Sequence, residues 1–107
     1  MADVTWKTLE RLVSRFFGGW GRTPLSGMNS KHTAADVLHD TLFVEAKQRK
    51  RMAIWTLFDK TRELARKEGK TPVVVLHESG RKGFLVVCHC DDLEVVAAER
   101  RKAREEA

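Results

Sequence analysis

Apolar residues recur at helical spacing near the start of the chain. Trp6, Leu9, Leu12, Val13, Phe16 and Phe17 fall on one arc and predict a helix over 4–17, ended by Gly18 and Gly19. Residues 18–34, GGWGRTPLSGMNSKHTA, show no periodicity and read as a loop or an extended segment. From Ala35 the texture changes. Ala-Asp-Val-Leu-His and Leu42-Phe-Val-Glu-Ala-Lys-Gln predict two short strands with a turn near Asp40. Residues 52–68 predict an amphipathic helix with Ile54, Leu57, Phe58, Leu64 and Ala65 inward. Arg66 and Lys67 suit its last turn, Gly69 stops it and Pro72 blocks continuation.

The apolar run Val73-Val-Val-Leu predicts a strand covered on both faces. A polar turn, Glu78-Ser-Gly-Arg-Lys-Gly, separates it from a further strand at Phe84-Leu-Val-Val-Cys. Asp91 or Asp92 can cap a last helix, which becomes almost wholly charged after Ala98. The resulting order, α-β-β-α-β-β-α, predicts an α/β fold in which a mixed central sheet is flanked by helices. At 107 residues a single domain is expected, 1–107, with a core over about 4–97 and a charged end, 98–107, that frays.

Charge narrows the partners. Lys and Arg number 20 against 15 Asp and Glu, giving a formal net charge of +5. A small basic domain suits a polyanion, nucleic acid before membrane. No run of 18 apolar residues occurs, and MADVTWKTLE lacks the basic-then-apolar layout of a signal peptide, so a cytoplasmic protein is expected. Its two cysteines, Cys88 and Cys90, are poorly placed to bond to one another, so reduced thiols are expected rather than a disulfide scaffold.

The chemistry concentrates at Asp36 and at Glu45-Ala46-Lys47. In a strand, Glu45 and Lys47 project from one face together with Phe43, while Leu42, Val44 and Ala46 take the other. With Asp40 and Thr41 as turn residues, His39 pairs with Leu42 and Asp36 with Glu45. A turn shifted by one residue sets Asp36 against Phe43 instead, on the same face. Asp40 is the rival first acid, but it sits where the turn falls, so Asp36 is preferred. An exposed Glu–Lys pair alone contributes only about 0–1 kcal/mol. Two acids with an amine, however, suit phosphodiester hydrolysis. The acids are hard oxygen ligands for Mg²⁺ or Mn²⁺, and the ammonium can stabilise developing charge.

In this order the residues resemble the PD-(D/E)xK nuclease superfamily and, within it, the archaeal-type Holliday junction resolvases. The motifs that carry the likeness are Leu9-Glu10-Arg11, then Arg22-Thr23-Pro24-Leu25-Ser26-Gly27, then Asp36, then Glu45-Ala46-Lys47, over roughly residues 5–90. Ala35 stands where that family has proline, and the gap from Asp36 to Glu45 is short. The resemblance implies a restriction-endonuclease-like fold, Mg²⁺ held by Asp36, Glu45 and the Ala46 carbonyl, and Lys47 assisting the attacking water. It further implies that Glu10 completes the site. On a helical wheel Glu10 borders the apolar arc beside Trp6, Val13 and Phe17.

The implied substrate is branched double-stranded DNA, above all the four-way junction. Symmetric cutting then implies a homodimer. Arg22 and Ser26 would hold backbone phosphate or order their loop, with Arg11 on the outer side of its helix. Lys31, His32, Gln48, Arg49, Lys50 and Arg51 flank the acids in sequence and are candidate DNA contacts. Other nucleases of the superfamily, and a catalytically inactive DNA-binding module, are the alternatives. His77, Cys88, His89 and Cys90 invite a zinc reading, but strand alternation would send the cysteines one way and His89 the other. Trp20 and Trp55 are candidates for base stacking or a dimer contact.

Overall fold

The computed structural model describes residues 5–19, 21 and 35–107. The chain forms two compact units, Met1–Lys50 and Arg51–Ala107.

In the first unit, α1 spans Trp6–Phe16. Thr5 starts it, its hydroxyl accepting the Thr8 amide at 3.1 Å and so satisfying one free donor of the first turn. A Schellman arrangement ends it. Gly18, at φ +68°, donates to the Arg15 carbonyl and Gly19 to that of Ser14. The buried residues of α1 are Glu10 and Ser14, whereas Trp6, Leu12 and Phe16 are close to half exposed. The covered stripe is therefore rotated from the expected apolar arc toward small and polar side chains. The cause is close approach. The Ser14 hydroxyl accepts the Gly21 amide at 2.8 Å, the Gly21 carbonyl accepts the Leu38 amide at 3.0 Å, and Ala35 and Val37 are buried.

The segments 35–39 and 42–48 meet at a single antiparallel bridge, Val37 with Val44. The ladder goes no further because side chains take its donors. Asp36 accepts the Ala46 amide on its carboxylate. At the turn, the His39 Nδ1 accepts the amides of Thr41 and Leu42, each at 3.0 Å. The same ring donates from Nε2 to the Phe17 carbonyl at 2.8 Å, tying the turn to the end of α1. These roles require the neutral tautomer with hydrogen on Nε2.

In the second unit, α2 spans Ala53–Lys67 and also ends in a Schellman arrangement, with Gly69 at φ +65° donating to the Arg66 carbonyl and Lys70 to that of Ala65. Phe58 is buried, and Ile54, Thr61 and Ala65 are partly covered, so the inward stripe runs 54, 58, 61, 65. Leu57 and Leu64, expected inward, are 45% and 63% exposed. Strands β1, Val74–Leu76, and β2, Leu85–Val87, pair antiparallel with Val75 opposite Val86. A short 3-10 turn, Cys90–Asp92, leads into α3, Leu93–Glu106.

The expected fold class is thereby corrected. Among the described residues there are three helices and one two-stranded antiparallel sheet, not a mixed multi-stranded, restriction-endonuclease-like sheet. Two physical reasons account for it. The 36–46 region spends its backbone donors on Asp36 and His39, as above. The Val73–Leu76 run is covered on one face only: Val74 is buried, whereas Val75 and its partner Val86 are more than half exposed. Pro72, with no amide to donate, and the turn after Leu76 keep β1 to three residues.

Candidate metal and DNA site

All the proposed acids lie in the first unit. The Val37–Val44 bridge is the register in which residues 36 and 45 stand opposite, with Asp40 and Thr41 between His39 and Leu42. Asp36 is partly buried, and its Oδ2 accepts the Ala46 amide at 2.7 Å. This bond fixes the carboxylate against the second segment and leaves Oδ1 for another partner. Glu45 and Lys47 are exposed, with Lys47 Nζ 3.9 Å from Glu45 Oε1. At that distance and exposure the pair contributes about 0–1 kcal/mol to stability. Glu10 is 4% exposed, at the centre of the covered face of α1.

The donor set is chemically suited to a hard cation: two carboxylates from facing segments and the carbonyl of Ala46 between Glu45 and Lys47. Its convergence is incomplete. Among the described residues, the one trio of His, Cys, Asp or Glu with donor atoms all within 4.8 Å of one another is His89, Cys90 and Asp91. The carboxylates of Glu10, Asp36 and Glu45 are not drawn into such a trio. What the first unit offers a divalent cation is therefore the register that sets residues 36 and 45 opposite one another, with no third acid drawn in.

Of the expected DNA contacts, Arg11, Gln48, Arg49, Lys50 and Arg51 are exposed. Arg49 leans on its own chain, donating from Nη1 to the Gln48 carbonyl at 3.1 Å. Arg22, Ser26, Lys31 and His32, and Trp20 with them, lie outside the described residues. Trp55 is half exposed and stands edge-on to Phe58 and His89, with ring centroids 6.0 Å and 6.4 Å apart. Among the described residues, no helix is long and apolar enough to cross a membrane.

Two features were missed in the sequence. Ser14 and His39 position the acidic segment against α1, yet neither carries a motif. The converging His89, Cys90 and Asp91 donors follow from where β2 stops, and the only signal for that was the Asp91-Asp92 pair at the helix start. No family model, curated protein or solved structure matches this chain.

Proposed function

We propose that this protein is a Mg²⁺-dependent endodeoxyribonuclease of branched DNA, with four-way junctions as its principal substrate and a homodimer as its working form. Asp36 and Glu45 are the metal ligands, with Mn²⁺ an acceptable substitute, and the Ala46 carbonyl is a third oxygen donor. Asp36 and Glu45 standing opposite one another, beside the Lys47 ammonium, carry the reading. The proposed metal ligands and Lys47 all lie in one unit, Met1–Lys50.

Bound there, a divalent cation would offset negative charge at the scissile phosphoryl group. Asp36 is held rigid for that task by the Ala46 amide, so little reorganisation is needed when it takes up a ligand. Lys47 exchanges its weak contact with Glu45 for the phosphate oxygens, on which charge builds during displacement. Glu10, buried on α1, is the further carboxylate that the resemblance assigns to the site. Arg49, Lys50 and Arg51 hold backbone phosphates without reading bases. Both cysteines are free thiols, in keeping with action in the cytoplasm.

The test is incubation of the purified chain with a synthetic four-way junction and with linear duplex, with and without Mg²⁺. Junction cutting that needs Mg²⁺ is expected. Lys47→Ala and Asp36→Asn should each lower it by about 100-fold or more while junction binding is largely kept. Full activity in both variants would remove the site, and equal cutting of linear duplex would remove the junction preference. One observation favours a second reading, a catalytically silent DNA-binding module: Asp36 already serves as a backbone acceptor and the three carboxylates do not converge. Tight junction binding without cleavage in Mg²⁺ or Mn²⁺ would select it.

A further inference from the structure

The second unit holds a donor cluster independent of the acids above. Strand β2 ends at Val87, and the chain runs extended through His89, at φ −69° and ψ 147°, into the 3-10 turn Cys90–Asp92. Strand alternation therefore stops before His89, and three consecutive side chains turn toward one point. The His89 Nδ1 is 3.8 Å from the Cys90 Sγ. That sulfur is 3.7 Å from the Asp91 Oδ1, and the Asp91 Oδ2 is 3.5 Å from Nδ1.

These separations can be set against a metal's requirements. Zn²⁺ bonds of about 2.3 Å to sulfur and 2.0–2.2 Å to nitrogen and oxygen, at tetrahedral angles, give ligand–ligand edges of about 3.4–3.6 Å. The Sγ–Nδ1 edge is longer than that by a few tenths of an ångström, whereas the two short edges to Asp91 end on different oxygens. With one donor atom from each residue, all three lie within 4.8 Å of one another, so rotation of the exposed Asp91 carboxylate with some contraction would complete one face of the tetrahedron. The imidazole is held for it. His89 is partly buried, edge-on to Trp55 at 6.4 Å, in a groove lined also by Ile54, Phe58 and Val87. A set of thiolate, imidazole and carboxylate favours Zn²⁺ or Co²⁺ over Mg²⁺.

We propose that His89, Cys90 and Asp91 form a Zn²⁺ site whose fourth position is open to a water or small anion. His89 and Asp91 also line a groove together with Arg62, Pro72 and Asp92. Binding forms Zn–N, Zn–S and Zn–O bonds and releases the Cys90 thiol proton to solvent. In exchange, Nδ1 gives up the Asp91 amide it accepts at 3.1 Å. The site owes nothing to the nuclease reading.

Co²⁺ titrated into the reduced, full-length chain is the probe. A thiolate-to-cobalt band in the near ultraviolet with tetrahedral bands in the visible should saturate at one equivalent and be reversed by Zn²⁺. Cys90→Ser should abolish the thiolate band, and Asp91→Asn should raise the Co²⁺ concentration needed for half-saturation. Cys88→Ser should leave the titration unchanged. Cys90 and Asp91 are both exposed, so these variants keep the fold, which circular dichroism verifies. Absence of the bands at one equivalent, their survival in Cys90→Ser or their loss in Cys88→Ser would overturn the assignment.

Discussion

A methyl group added at Gly19 would stand 2.7 Å from the Leu38 carbonyl oxygen, 2.9 Å from Ser14 Oγ and 2.9 Å from Val37 Cγ1. Two of these neighbours are buried side chains and the third is backbone, so none can swing aside cheaply. Gly19→Ala is accordingly expected to destabilise the first unit by about 1–3 kcal/mol. Phe43→Ala, at a side chain 68% exposed, should stay within about 0.5 kcal/mol. Urea unfolding of both variants checks this, and equal midpoints would mean that α1 and residues 37–38 are not in close contact. In the sequence Gly19 reads only as a helix stop. Its second task depends on a neighbour 18 or 19 positions away, Val37 or Leu38, and no local pattern reports that. Glu10 is a contrasting case: a helical wheel puts it at the edge of the apolar arc, and the structure buries it.

At the scale of elements, legibility follows the range of the forces involved. Gly18 and Gly69 signal helix ends because left-handed backbone there is a local requirement, met within the last turn. The stripe on α2 was legible only in part. Phe58 lies at its centre, but Leu57 and Leu64 satisfy the same period and stay exposed. Periodicity gives the arc and not which part of it a neighbour covers. Sheet pairing was the least legible, because strand partners are non-local and a short apolar run reads alike in an edge or a central strand. Turn length left two registers for residue 36, opposite Glu45 or opposite Phe43, and the Val37–Val44 bridge is what selects the first. Nor could turn length show that Asp36 would also take the Ala46 amide, and so interrupt the ladder. Phe58 anchors the second unit, 4% exposed and in contact with the Trp55 ring and the Arg62 guanidinium, the latter 5.1 Å from its centroid. Phe58→Ala should cost about 3–5 kcal/mol, read as an early loss of α2 helicity on heating. Leu64→Ala, 63% exposed, should change little.

For the molecule as a whole, charge is the property that the sequence states outright, and it bears on binding rather than on fold. The formal net charge is +5, and Gln48-Arg49-Lys50-Arg51 is an exposed basic run following the proposed acids directly in sequence. If this run holds DNA, each of its three cations displaces a condensed counterion, and affinity must fall steeply as salt rises. Replacing Arg49, Lys50 and Arg51 together by alanine removes three positive charges, taking the formal net charge from +5 to +2. The slope of log affinity against log salt should then become shallower by about 2–3. That loss should be alike for junctions of unrelated sequence, because phosphate contacts carry no base information. Loss of general attraction from lower net charge would weaken binding at low salt too, but a Lys60→Ala, Lys67→Ala, Lys70→Ala variant removes the same charge from exposed positions outside the run. Only the first variant should flatten the slope by the full amount. Equal slopes in the two variants would move DNA contact away from residues 49–51 and leave their charge as a solvated surface.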